Sequence, residues 1–419
     1  MNLKINLKKI EQATYDFILL FFYIALFAYM PTTRQSDRIV SIVAIAVLAF
    51  GSVIKIIMSP NRMLKLDYSL IWYLAFVAFG MLSCFWSTDT LYFETYVKGY
   101  FIIIVIAVLC LGCFIEDQES VDRQMTIIVL AGVFAALRFL YYTPLDTIFS
   151  SGYYIRGDFG LLLDNGKTNY NNYTSHLCFI SIIAAYYAIV RNKKWFFIPF
   201  VLLTAIVIFG GSRKNILVIP IVTFYFSFCT GSLSKKAKNL ILIISFTIAA
   251  VYFLSTLDFL SPIRKTLLQM IHGLFGSNSG ITVVDKSTTE RIYLIERAKE
   301  VWVEHPFLGV GWDNYRFYND LQLYAHNNYV ELLSCLGLVG FLIYYSYFAR
   351  KIIYVFSNMI QHKRYSEDIL FLGLSAGMFM QDVGTMTMYS RARMIILLVV
   401  LLSCSVIQKR AIRIRTKSI

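Results

Sequence analysis

Apolar stretches of about 17 to 22 residues recur along the whole chain between polar turns, and one helix needs about that length to cross a bilayer's hydrocarbon core. The pattern predicts twelve spans: 14–30, 38–58, 67–86, 97–115, 124–142, 172–190, 195–211, 214–230, 238–256, 327–348, 366–385 and 391–408. These runs are too long and too evenly apolar for the alternating strands of a membrane barrel. The expected fold class is therefore all-α and integral to a membrane, with 1–419 as a single polytopic domain. Two longer polar segments interrupt the series, 143–171 and 257–326, and both are expected on the outer side.

The second segment carries its own helix signal. Ser287 and Glu290 have capping-box spacing, in which each side chain satisfies a backbone donor at the other's position. Arg291, Ile295, Ala298 and Trp302 then recur at helical spacing, and the residue before Pro306 disfavours helix, so the element should end near His305. An amphipathic helix along the outer face is expected.

Composition agrees with the span pattern: 58% of residues are hydrophobic and 15% charged, with a net charge of +14. The charge sits beside span ends, at Lys4, Lys8 and Lys9, at Arg62 and Lys65, at Arg191, Lys193 and Lys194, and at Lys235, Lys236 and Lys238. Arg350, Lys351, Lys363 and Arg364 and the basic C-terminus complete the set. With a cytoplasmic N-terminus and twelve spans, every cluster falls inside, as the positive-inside rule requires, so both termini are expected in the cytoplasm and nucleic acid is excluded as a partner. The acidic run EDQESVD at 116–122 falls on the same side and reads as a solvated loop. The N-terminal segment lacks a small-residue cleavage site and runs into an uninterrupted span, the pattern of a retained first helix. The seven cysteines fall in or beside apolar spans and read as small buried side chains.

Chemistry concentrates in a few polar positions. Arg213, in the connection GGSRKN, is either a snorkelling anchor or a planar cation suited to phosphate oxygens. Arg291 lies at the start of the external helix, where the helix dipole disfavours a cation unless an anion binds there. His326 opens the tenth span with Asn327 and Asn328 behind it, and Glu331 is near enough to orient its ring. It reads as a polar cap or as a general base. Lys167 and Asn172 at the mouth of span six are further substrate-contacting candidates. Asp382, followed by Arg391 and Arg393, is either half of a structural ion pair or an intramembrane functional group. No phosphate loop, dinucleotide fingerprint, HExxH or paired-aspartate motif occurs, so the chemistry is expected to be metal-free, without a cofactor and facing outward.

SRKN, then ERIYLIERAKEVWVEHPFLGVGWDNY, then AHNNYVELLSCLGLVG together resemble the O-antigen ligase and polysaccharide polymerase family of bacterial envelope glycosyltransferases. The resemblance implies a GT-C-like, metal-independent transferase of the cytoplasmic membrane, using an undecaprenyl-diphosphate-linked glycan as donor and a glycan as acceptor. In it Arg213 and Arg291 match the arginines that hold the diphosphate, and His326 matches the base that deprotonates the acceptor hydroxyl. Tyr315, Tyr318 and Tyr324 are expected either to stack on sugars or to anchor at the interface, and Asn327 and Glu331 to contact substrate. A polymerase of lipid-linked repeat units is the reading taken, with an O-antigen ligase as its alternative and a flippase as the rival class. Membrane lipids, a flippase and a chain-length regulator are the further partners implied. Against transport stands the absence of matching interrupted helices in the two halves.

Overall fold

A backbone with no water to bond must satisfy its N–H and C=O groups within its own segment, and the described elements are accordingly helical. The structure is a computed structural model, which describes residues 2–30, 35–58, 67–90, 101–142, 170–209, 212–230, 236, 286–360 and 366–417. The expected span at 238–256 and the external segment 143–169 lie outside them. So do residues 257–285 of the second segment.

The chain divides into two compact units where the sequence suggests one domain. The first holds α1 (Asn2–Ile24, prolonged by a π-helical turn at Ala25–Tyr29) and α2 (Gln35–Met58). The second holds α3 (Tyr68–Leu82) and α4 (Ile102–Gly112). The first unit resumes with α5 (Gln118–Tyr142), α6 (Tyr170–Ile189), α7 (Phe197–Phe209) and α8 (Arg213–Cys229). The second resumes with α9 (Lys286–Glu304), α10 (Asn328–Ile360), α11 (Ser366–Asp382) and most of α12 (Arg391–Lys417). Six described helices are long and apolar enough to cross a membrane, in α1, α2, α3, α5, α10 and α12. Apolar helices too short for that measure lie in α4, α6, α7 and α8.

In the first unit α6 packs on α7 and α8, and α1 on α2 and α5. The acidic run at 116–122 is not a solvated loop. Glu116 pairs with Lys55 at 2.9 Å, and Asp122 accepts from Lys193 at 2.7 Å, Arg191 at 3.1 Å and the Tyr187 hydroxyl at 2.9 Å. Acidic and basic groups at one end of this unit therefore neutralise one another, which hydropathy alone does not reveal.

In the second unit a comparable polar layer forms where α3 begins. Asp67 caps α3 by accepting the Ser69 amide at 3.3 Å, and it also takes Ser405 at 2.9 Å and Lys409 at 3.4 Å. Lys351 lies 3.8 Å from Asp368, which also binds Gln408. α3 packs along α10, with Trp72 stacked on Tyr347 and Phe76 against Tyr344.

α10 is not the single rod expected over 327–348. Gly337 has φ 62° and ψ −168°, a region open essentially to glycine alone. The Asn328 side chain nevertheless donates to the Tyr345 hydroxyl at 2.9 Å, and the Tyr329 and Tyr345 rings stack at 5.3 Å. On a straight helix, 17 positions would separate such residues by about 25 Å. α10 therefore folds back at Gly337 into a short leg, 328–336, and a long leg, 338–360.

The backbone groups released by this break are taken up by residues 306–311. Val310 N–H donates to the Ser334 carbonyl at 2.9 Å and Gly311 N–H to Cys335 at 2.8 Å. Leu338 and Val339 N–H donate in turn to Pro306 at 2.8 Å and Phe307 at 3.1 Å. The approach is so close that a Cβ on Gly337 would lie 2.2 Å from the Phe307 oxygen, and one on Gly309 (φ 64°) 2.4 Å from the Cys335 carbonyl carbon. Gly337→Ala is expected to cost about 2 kcal/mol or more in thermal unfolding of the detergent-solubilised protein. Gly51→Ala, which meets only the flexible tip of Ile18, should cost far less.

Candidate active site

The polar stretch between α9 and α10 is built on that backbone exchange. α9 runs over Lys286–Glu304, close to the helix expected from 287, and its buried face is Leu294, Ala298 and Val301. The expected stripe of Arg291, Ile295, Ala298 and Trp302 is thus offset by about one position, with only Ala298 shared. Arg291 falls in the second turn rather than the first, is partly exposed, and makes no hydrogen bond or ion pair with the described residues.

Below α9 the loop is pinned by aromatic and amide groups. Trp312 is fully buried against Phe76, Phe101 and Tyr389, and its amide donates to the Ser83 hydroxyl at 2.9 Å. Asn314 clasps the Asp89 backbone from both sides, accepting its N–H at 2.9 Å and donating to its carbonyl at 3.0 Å. Tyr315 is fully buried, with its hydroxyl on the Leu294 carbonyl at 2.6 Å. This corrects the expectation that it contacts sugar, because its ring packs inside the unit and fastens the loop to α9. The Tyr318 hydroxyl meets Thr88 at 3.1 Å, and the Tyr324 ring lies 4.3 Å from the His326 ring.

His326 has φ 56°, a conformation a side chain adopts only under constraint, and it directly precedes the short leg of α10. It is not the helix cap. Asn327 takes that role, its side-chain oxygen accepting the Tyr329 amide at 3.0 Å and the Val330 amide at 3.3 Å while its nitrogen donates to the Val383 carbonyl at 3.2 Å. Asn327, expected to contact substrate, is partly exposed and shapes the terminus through these bonds.

Glu331 does not orient the imidazole directly either. Its fully buried carboxylate accepts the Ala325 amide at 2.7 Å and the Tyr389 hydroxyl at 3.3 Å, with the Cys335 thiol at 3.6 Å. The carboxylate expected to contact substrate is thus enclosed by protein groups. It acts on the backbone one residue before His326.

Asp382 and Arg393 are both fully buried and meet through an intermediary. Thr387 donates to Asp382 and accepts from Arg393 at 3.2 Å, while Asp382 also takes Tyr345 at 2.9 Å and Asn328 at 3.3 Å. The ion pair considered from sequence is thus a hydroxyl-bridged network that ties α11 and α12 to both legs of α10.

Arg213 belongs to the first unit, where it is the first residue of α8, and its side chain lies outside the described residues. Lys167 lies outside them altogether, as does the side chain of Asn172, whose backbone is in the first turn of α6. What fixes the start of α8 is Asn215, a fully buried amide donating to Ser175 at 3.1 Å and Thr174 at 3.3 Å on α6. It stands in the motif SRKN, two positions after Arg213. An amide so close to the polar start of an apolar helix was the signal that could have identified it.

A family model described as O-antigen ligase matches residues 174–345. That segment is similar to the O-antigen ligase family. No curated protein matches the chain. The O-antigen ligase segment opens at Thr174, a partner of Asn215, and closes at Tyr345, a partner of Asn328, so it contains Arg213, Arg291 and His326 but not Asp382 or Arg393. Members of the family are glycosyltransferase-like enzymes.

Asp313, at the foot of the same loop, has φ 57° and pairs with Arg316 at 2.5 Å. Burial outweighs that pairing and pushes its carboxyl up to about 6 from 3.8. A carboxyl raised in the folded state stabilises while protonated, and that contribution is lost as pH rises from about 4 through about 6. This carboxyl should therefore contribute a fall of up to about 3 kcal/mol to the pH profile of thermal stability over this window, and Asp313→Asn should remove that contribution.

Proposed function

We propose that the protein is a membrane glycosyltransferase that joins oligosaccharide repeat units carried on undecaprenyl diphosphate, a polysaccharide polymerase working at the outer face of the cytoplasmic membrane. The observation that carries the reading is His326 within the O-antigen ligase segment: it is fixed in a left-handed conformation at the mouth of a helix whose cap is another residue. Its imidazole is thus not needed to finish the helix, the bland role open to it from sequence. A sugar hydroxyl needs a base with a pKa near neutrality, and histidine supplies one.

The leaving group in such a transfer is an anionic diphosphate, for which fixed guanidinium groups suit the developing charge. Arg291 fits this role, since it has no partner among the described residues, and Arg213 is proposed as the second cation. Neither role calls for a metal.

The family description favours a second reading, an O-antigen ligase that hands the finished lipid-linked glycan to another acceptor. Transport gains one point, the interruption of α10. The described helices of the first unit show no counterpart to it, only the π-helical turn in α1 and Pro220 inside α8.

A deletion strain complemented with wild type or His326→Ala, at matched membrane levels, separates the readings. Loss of a general base should lower the transfer rate by about 10²–10⁴-fold. Accumulation of single repeat units supports the polymerase. Long carrier-linked polymer that never reaches its acceptor supports the ligase, and unchanged glycan removes His326 from the mechanism.

A further inference from the structure

The polar residues that follow His326 are all tied to one stretch of chain. Asn327 donates to the Val383 carbonyl at 3.2 Å, Asn328 accepts the Met388 amide at 3.3 Å, and Glu331 accepts the Tyr389 hydroxyl at 3.3 Å. Val383, Met388 and Tyr389 lie in the connection between α11 and α12, 56 to 60 positions further on and beyond the matched segment 174–345.

The residue before His326 reaches the same connection in one more step. Glu331 divides its carboxyl between two tasks, with Oε1 on the Tyr389 hydroxyl and Oε2 on the Ala325 amide at 2.7 Å. Ala325 is fully buried, so this bond is made away from water. The Tyr389 ring is in turn set edge-on to the buried Trp312 ring, 5.9 Å between centroids. A chain of bonds thus runs from Tyr389 through Glu331 to the backbone beside His326.

That backbone needs holding. His326 has φ 56°, and a residue with a side chain stays in such a conformation only where its surroundings over-determine it. The Ala325 amide fixes the chain on one side of it and the Asn327 cap on the other. The conformation sets where the Cα–Cβ bond points, and a shift of about 1 Å in a reacting group can cost about 10²-fold in rate.

We propose that Tyr389 is a positioning residue for His326, acting through Glu331, and that Glu331 serves as a hydrogen-bond acceptor rather than as a charge. Its donors are the Ala325 amide, the Tyr389 hydroxyl and the Cys335 thiol, all of them neutral. The proposal rests on the reading of His326 as the general base.

The test measures kcat and KM for the purified full chain in liposomes, with a synthetic undecaprenyl-diphosphate-linked repeat unit as donor and a second unit or a free oligosaccharide as acceptor. Tyr389→Phe keeps the ring against Trp312 and loses only the hydroxyl, so kcat should fall about tenfold with KM within about twofold of wild type. Glu331→Gln keeps an oxygen for the Ala325 amide and should hold kcat within about threefold, whereas Glu331→Leu should lose about 10²-fold. On a His326→Ala background neither Tyr389→Phe nor Glu331→Leu should slow the residual rate further, because the group they position is gone.

Tyr389→Phe at the wild-type rate overturns the proposal, as does an equal fold loss with and without His326. His326→Ala at the wild-type rate overturns the base reading, and the proposal with it. Nitrogen-15 spectra of the labelled histidines give a readout independent of turnover. The imidazole signal missing from His326→Ala should shift in Tyr389→Phe while those of the other four histidines stay in place, and shifts spread over all five overturn a positioning role.

Discussion

Four backbone hydrogen bonds across the break at Gly337 hold the second unit in its shape. A helix that ends inside a low-dielectric region leaves amides and carbonyls unpaired, each costing several kcal/mol. The 306–311 segment supplies the missing partners in both directions, two donors to the short leg and two acceptors to the long one. The close backbone approach explains why Gly309 and Gly337 carry no side chain. Residues 306–311 and α10 are in this sense one structural element.

The chemistry of the candidate site follows from this arrangement. Because α10 folds back, its first leg begins beside Tyr345 and Asp382 rather than a helix length away from them. The polar groups around that terminus divide their tasks: Asn327 caps, Asn328 ties the leg to α11, and Glu331 grips the Ala325 amide. His326 is held between these fixed points, with the Tyr324 ring at its side. Positioning of this kind is what proximity and acid–base catalysis both depend on.

Much of the helical layout was legible, since apolar runs and capping signals are local. α9 was placed within about one residue at each end from Ser287, Glu290 and Pro306, although its buried face was shifted, because the partner that selects the face is not encoded in spacing. The fold-back of α10 was not legible. A single glycine within an apolar run reads as a tolerated helix residue, and only the pairing with distant residues 306–311 makes it a break. The candidate histidine was visible as polar chemistry at a span end. The bonds of its neighbours Asn327, Glu331 and Tyr315 were not legible, because sequence shows which residues are polar or aromatic but not which partners the fold brings to them.

The pairing of Asp122 with Arg191 and Lys193 carries a consequence for biogenesis. The partners are 69 and 71 positions apart, so when α5 emerges during synthesis the cations that will hold Asp122 have not yet been made. Arg191 and Lys193 follow Asp122 only after the rest of α5 and the whole of α6. The cluster at this end of the unit can therefore close only once α6 has been made, and a charge reversal at either position would disturb this late packing step rather than the formation of α5.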